Sequence, residues 1–331
     1  MKRVAFAVVI GALVLAGCGG GLAATPASTA LTKIRLPMGY IANVQYAPFY
    51  IAVDRGYFKD AGLDLEFDYR FETDGLKLVG ANELPFAVVS GEQVPLARAQ
   101  GLPVVYVMQW WKKYPVGVVS LAAQNITSMA DLVGKSVGLP GYFGASYVGW
   151  RGLLYQAGVA ESAIQTQDIG FTQVAALQQG RVDAAVIYLN NEPIQLRAAG
   201  LAVNVIAVSD ALALVSNGLV TNETTLKNQP ELVRGLVRAV LRGVADAIAD
   251  PDLAFTTSQK FVEGLGRDPK NDDIQRQVLA ESIKLWQGGP PGQSDPAAWD
   301  TTQDVLMSMG LITQKFDNAQ LFTNQFVDEV K

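Results

Sequence analysis

Between residues 34 and 222, short apolar runs alternate with segments of helical periodicity. That alternation restricts the chain to layered α/β architecture more tightly than any other feature. "IRLPMGY" (34–40), "LDLEFDYR" (63–70), "PFAVVS" (85–90), "PVVYVMQWW" (103–111) and "VGVVSLA" (116–122) have the length and composition of strands. Between them, "YAPFYIAVDRGYFKDAG" (46–62), a segment around 74–81 and "GEQVPLARAQG" (91–101) read as helices, the first stopped by a glycine. The pattern then restarts. "SMADLVG", "GASYVGWRGLLYQAG" (144–158), "TQVAALQQG" and "NEPIQLRAAG" read as helices. "KSVGL", "TQDIGF", "DAAVIY", "AVNVIAV" (202–208) and "LALVSNGLVTN" (212–222) read as strands. From Pro230 the chain turns mostly helical, over 230–249, 251–263, 271–286, 296–309 and 317–330.

Strands fed by helices predict largely parallel sheets. Two such units and a helical tail predict two lobes. Residues 33–122 plus 214–331 form lobe I, residues 123–213 form lobe II, and the chain crosses near 120–126 and 209–218.

The N-terminus reads as an address. "MKR" precedes the fourteen-residue apolar run "VAFAVVIGALVLAG" (4–17), which is short for a membrane span and ends in "LAGC" (15–18). This predicts a lipoprotein signal peptide over 1–17, cleaved before Cys18, whose thiol then carries diacylglycerol. An ordinary secretory signal with an incidental cysteine is the alternative. Two or more acyl chains hold a protein firmly on a membrane. Residues 18–32, small and polar, predict a flexible tether. The body is then expected to be soluble and lipid-anchored at the extracytoplasmic face of the cell membrane.

Composition removes several chemistries. The chain has no His and one Cys, so no Ser-His or Cys-His pair and no intrachain disulfide is available. A net charge of −5 argues against nucleic acid as a partner. No acidic pair has catalytic spacing, and no metal or cofactor is expected.

In open α/β sheets, ligands bind beyond the carboxyl ends of the strands. Tyr40 and Asn43 (with Gln45) follow the first strand, and Ser90 and Glu92 (with Gln93) follow "FAVVS". Trp110 and Trp111 follow "VVYVMQ". Tyr142, Phe143, Gly144, Ala145 and Ser146 follow "KSVGLP", and Tyr188, Asn190, Asn191 and Glu192 follow "DAAVI". Each has a plainer reading: Tyr40 and Trp110 as core aromatics, Asn190 or Asn191 as a helix N-cap, Glu192 as a first-turn carboxylate, and the glycines as turn formers. Those readings leave unexplained why five strand ends share aromatic rings, amides, hydroxyls and few charges. The shared composition suits a neutral, planar ligand. Free N–H groups where a helix begins near Gly144 are placed to hold a ligand oxygen. The stretch lacks the lysine of a phosphate-binding loop.

"YIANVQYAPFYIAVDRGYFKDAGLDLEF" (40–67), "FAVVSGEQV" (86–94), "ITSMADLVGKSVGLPGYFGAS" (126–146) and "ALQQGRVDAAVIYLNNEP" (176–193) together resemble the type II periplasmic binding proteins of ABC importers. The resemblance is to the branch that binds the thiamine pyrimidine precursor, and within it to the riboflavin-binding members. It implies a two-lobe fold with a ligand cleft between lobes, closed by hinge motion over riboflavin, which an ABC permease then takes up. It also implies that Tyr40 stacks on the ligand, that the "GYFGAS" loop holds its edge, and that Tyr188 and Glu192 stand where pyrimidine binders place an aromatic and a carboxylate. A flavin edge presents carbonyl, N–H, carbonyl, which an amide matches and a carboxylate does not. The asparagines of "YLNNEP" therefore favour a flavin over an aminopyrimidine. Fungal relatives that make the pyrimidine consume a histidine that this chain lacks, so a non-enzymatic receptor is expected, acting as a monomer. A receptor for the thiamine pyrimidine precursor is the alternative, ahead of an enzyme or a sensor.

Overall fold

The computed structural model describes Met1 and residues 30–329, so the expected signal segment and Cys18 lie outside the described residues. Among the described residues, ten strands form three sheets. β1 (Thr32–Pro37) and β2 (Leu63–Asp68) pair in parallel. β3 (Ala87–Ser90) and β4 (Val104–Gln109) flank β10 (Asn217–Asn222). The third sheet holds β5 (Val116–Leu121), β6 (Ser136–Leu139), β7 (Gln165–Asp168), β8 (Ala184–Tyr188) and β9 (Val203–Ala207), in the order β7-β6-β8-β5-β9.

The expectation of largely parallel sheets is corrected at two strands. β5 runs antiparallel to β8 and β9, and β10 runs antiparallel to β3 and β4. These are the two strands that enter a sheet directly from another sheet. A parallel partner needs a crossover, usually an α-helix, to bring the chain back to the same end, and neither strand is preceded by an α-helix: β5 follows a loop, and only the 3-10 turn Val208–Asp210 lies between β9 and β10. Residues 116–121, expected in lobe I, hydrogen-bond within the five-stranded sheet. From Leu31 onward the chain clusters as one compact unit.

β8 shows how the sequence builds this core. Ala184 and Val186 pack on one face and Ala185 and Ile187 on the other, the period of two expected of a strand buried on both sides. The run ends at Tyr188, which is only partly buried. Helix Pro230–Ala249 starts with proline in its first turn and buries Val233, Leu236, Val237, Val240 and Val244 along one stripe. Burying each such side chain stabilises by roughly 1.5–3 kcal/mol. The stripe packs on helix Ala47–Asp54 so closely that a Cβ on Gly243 would stand 2.0 Å from the Pro48 carbonyl oxygen.

Three helical expectations shorten. The 46–62 segment breaks at Gly56, whose φ is 75°, into Ala47–Asp54 and Tyr57–Asp60. "SMADLVG" is a single 3-10 turn, Met129–Leu132, closed by a Ser128/Asp131 capping box. The 317–330 segment holds two single turns, Asn318–Leu321 and Gln325–Asp328. No helix among the described residues is long and apolar enough to cross a membrane.

Candidate functional site

The ends of strands from all three sheets meet at one cleft of about 860 Å³, measured with its open mouth. Tyr40 arrives just after β1, Phe71 and Glu72 after β2, and Trp110 and Trp111 after β4. Gly141 and Phe143–Ser146 follow β6, Phe171 and Gln173 follow β7, and Tyr188, Asn191 and Glu192 end or follow β8. A cleft of this size and mixed apolar and polar lining has the character of a small-molecule site.

The mouth is aromatic. Phe71, Phe143 and Phe171 are each about half exposed. Phe71 meets Phe143 edge-on at 5.3 Å and stacks near Phe171 at 6.0 Å, and Tyr40 meets Phe171 edge-on at 5.1 Å. Deeper, Trp110 stacks on Tyr46 at 5.5 Å and touches Trp111 edge-on at 5.2 Å. The polar lining includes four amides, Gln45, Gln173, Asn191 and Asn217, beside the hydroxyls of Tyr40, Tyr46, Ser146 and Tyr188. Three buried polar atoms of lining residues have no partner among the described residues, namely the indole N–H groups of Trp110 and Trp111 and the Oδ1 of Asn217. An unpaired buried polar group costs about 1–3 kcal/mol, which a ligand able to pair with it returns.

No Lys or Arg lines the cleft, and its formal charges are the carboxyls of Glu72 and Glu192. Glu192 accepts from the Tyr188 N–H at 2.9 Å and from Asn191 Nδ2 at 3.1 Å. Burial nonetheless pushes its carboxyl up to about 7. Asn191 also accepts from Gln195 Nε2 at 2.9 Å, and its amide hydrogen-bonds to the Tyr40 hydroxyl. Glu72 accepts from the Ser90 N–H at 2.8 Å, the Ser90 hydroxyl at 2.9 Å and the Ala145 N–H at 3.2 Å. Burial raises the Glu72 carboxyl, while those three donors oppose the rise. Below it lies Glu92, fully buried, pushed up to about 8 by desolvation and then by the charge of Glu72.

The structure brings Tyr40, Trp110, Phe143, Gly144, Ala145, Ser146, Tyr188, Asn191 and Glu192 into the lining, together with Gln45 and Trp111. Six expected residues do not line it, among them Gln93, which donates to Glu92 Oε1 at 3.0 Å. Asn43 caps the turn after β1, its Oδ1 accepting from the Gln45 N–H. Ser90 and Glu92 sit beneath Glu72 as its support. Tyr142 lines a neighbouring depression instead, and its hydroxyl donates to Thr166 at 3.2 Å. Asn190 is fully buried and donates to Gln45 Oε1 at 3.3 Å and Ser282 Oγ at 2.9 Å, so it fixes a lining amide without reaching the cleft itself. Asn191 holds the N-cap position of helix Glu192–Ala198 but makes no side-chain capping bond, so capping does not account for it.

Phe71, Glu72, Phe171, Gln173 and Asn217 line the cleft and were not expected. The first four obey the same strand-end rule, applied to β2 and β7. Asn217 escapes that rule because β10 is antiparallel, so its amino end faces where its neighbours' carboxyl ends point.

The family model described as "NMT1/THI5 like" matches residues 43–254. The chain is 39% identical to the riboflavin-binding protein RibY of Chloroflexus aurantiacus, over 92% of this chain and 89% of that protein. It is 28% identical to a formylaminopyrimidine-binding protein of Halalkalibacterium halodurans, covering 87% and 88%. It is 23% identical to a 4-amino-5-hydroxymethyl-2-methylpyrimidine phosphate synthase of Legionella pneumophila, covering 91% and 94%. Among solved structures, the alkanesulfonate-binding protein SsuA of Xanthomonas axonopodis, bound to MOPS, superposes with a TM-score of 0.69 at 14% identity, covering 88% and 98%. The chain belongs to the NMT1/THI5-like family and carries the α/β fold of the periplasmic binding proteins.

Proposed function

We infer that this protein is the solute-binding component of an ABC importer, that its solute is riboflavin, and that it binds the vitamin without changing it. The observation that carries the reading is 39% identity to a riboflavin-binding protein along 92% of the chain. The cleft chemistry agrees with it: aromatic faces for a three-ring system, and amides for its carbonyl and N–H edge. In this reading the two larger sheets are the cores of two lobes that close on the ligand, and a permease recognises the closed form. Cys18 carries the lipid that holds the monomeric protein at the outer face of the membrane.

The test is titration of purified protein with riboflavin, followed by quenching of flavin fluorescence and by calorimetry. Saturable one-to-one binding, with riboflavin recovered unaltered by mass spectrometry, is the expected result. Absence of both quenching and heat overturns the reading. A pyrimidine precursor of thiamine is the second candidate, favoured by the Glu192 carboxyl in the lining and by the pyrimidine named for two relatives. An aminopyrimidine that binds where riboflavin does not would establish it.

A further inference from the structure

Helix Gly144–Ala157 starts at the cleft, and its N-cap residue Phe143 makes no side-chain capping bond. The first-turn N–H of Ala145 donates instead to Glu72 Oε1, from the far side of the cleft, at 3.2 Å. The Ser90 N–H and hydroxyl fix Glu72 in that place from behind. The local backbone is suited to the approach. Gly144 has φ of 66°, and a Cβ there would stand 2.7 Å from Glu72 Oε1. A helix start attracts negative charge through its unpaired N–H groups and its dipole, and here a residue of the protein already supplies that charge. No Lys or Arg lines the cleft to offset it.

We propose that Glu72 is a specificity-determining residue, whose carboxylate takes the position a ligand anion would occupy at this helix start, so that the cleft admits an uncharged heterocycle and refuses its phosphorylated or sulfonated counterpart. The proposal builds on the riboflavin reading and adds to it an exclusion of riboflavin 5′-phosphate. Glu72 acts in two ways. It repels an incoming anion, and it pairs with the N–H that an anion would need. Selectivity of this kind rests on a repulsive element as much as on attractive contacts.

The purified full-length protein and its Glu72→Ala and Glu72→Gln variants are titrated with riboflavin and with riboflavin 5′-phosphate at fixed ionic strength. Each is also melted in inorganic sulfate against matched chloride. Wild-type protein is expected to prefer riboflavin by about 100-fold or more, and both variants to bring the ratio below about 10-fold. At low millimolar concentration, where its general salting-out effect is negligible, sulfate is expected to raise the melting temperature of Glu72→Ala saturably and to leave the wild type at its chloride value. Wild-type affinities for the two flavins within about threefold of each other, or a ratio unchanged in the variants, overturn the proposal. If wild type binds neither flavin, the riboflavin reading fails and the sulfate comparison decides alone. Stabilisation of Glu72→Ala but not of wild type then sustains the exclusion, and equal behaviour ends it. Should Glu72→Ala fail to fold, Glu72→Gln, which removes the charge and keeps an acceptor for Ala145, carries the flavin comparison, and Glu72→Ser, too short to reach the Ala145 N–H, carries the sulfate comparison.

Discussion

Ser90 has one hydroxyl proton and two carboxyls within hydrogen-bonding reach, Glu72 and Glu92. Ionised carboxylates only accept, so one of the two holds a proton. Glu72 accepts two backbone N–H groups, which favour its ionised form, whereas Glu92 is fully buried and pushed up to about 8. The proton is therefore expected on Glu92, which would then donate to Ser90 while Ser90 donates to Glu72. A carboxyl whose folded value lies above its unfolded one binds protons more strongly in the native state. Its stabilisation is complete below the unfolded value of about 4.5 and is lost as pH rises through the folded value. Glu192, up to about 7, adds in the same direction. The melting temperature is thus expected to fall by roughly 3–8 °C between pH 5 and pH 9, and Glu92→Gln to flatten that slope. A slope the same in both proteins contradicts the assignment of the proton. Tyr40 offers a second measurement at this scale. Tyr40→Ala is expected to weaken riboflavin binding by about 1–3 kcal/mol in a fluorescence titration, by analogy with base–aromatic stacking. Unchanged affinity removes the ring from the site. Legibility at this scale is uneven. Asn190 and Asn191 are adjacent and chemically identical, and they leave the strand period at the turn after β8. Only the fold selects Asn191 for the cleft and turns Asn190 toward Gln45 and Ser282.

Strands were legible as elements because short, strongly apolar runs bounded by turns have few other outcomes. β3, β4, β6 and β8 lie within the stretches predicted for them. Their direction was not legible, since it depends on which strand a segment pairs with, and that is decided across the molecule. The 317–330 segment shows the same limit in a helix. Phe322 forms a bridge with Tyr106, and the Thr323 N–H donates to the Tyr106 carbonyl at 2.9 Å, so pairing with β4 interrupts what local periodicity reads as one helix. The contact between helices Ala47–Asp54 and Pro230–Ala249 gives a test at this scale. Gly243→Ala places a methyl 2.0 Å from the Pro48 carbonyl oxygen, and one helix has to shift. A loss of about 1–3 kcal/mol in denaturant unfolding is expected, although alanine has the higher helix propensity. A gain in stability contradicts that packing.

At the scale of the molecule, the chain crosses from the three-stranded sheet to the five-stranded one after β4 and returns before β10, and the tail then touches the surroundings of both. Trp299 packs with the core around β3, β4 and β10, while Val305 and Leu306 of the same helix pack with the core of the five-stranded sheet. Ser282, from helix Pro269–Trp286, accepts from Asn190 beyond β8. Any hinge motion between the two sheets has to accommodate these tail contacts. The alternation in the sequence pointed to the strand ends, where Tyr40, Trp110, Trp111, Phe143 and Tyr188 line the cleft with two of its four amides, Gln45 and Asn191. The carboxylate network beneath it was not legible, because Glu72, Ser90 and Ala145 converge only after three separate segments have folded. The most direct measurement is a crystal structure of the protein grown with riboflavin. The expected result is flavin density inside the cleft, its rings against Tyr40 or Trp110 and its polar edge within hydrogen-bonding distance of Asn191. Flavin bound elsewhere on the surface, with the cleft closed on its own side chains, would contradict it.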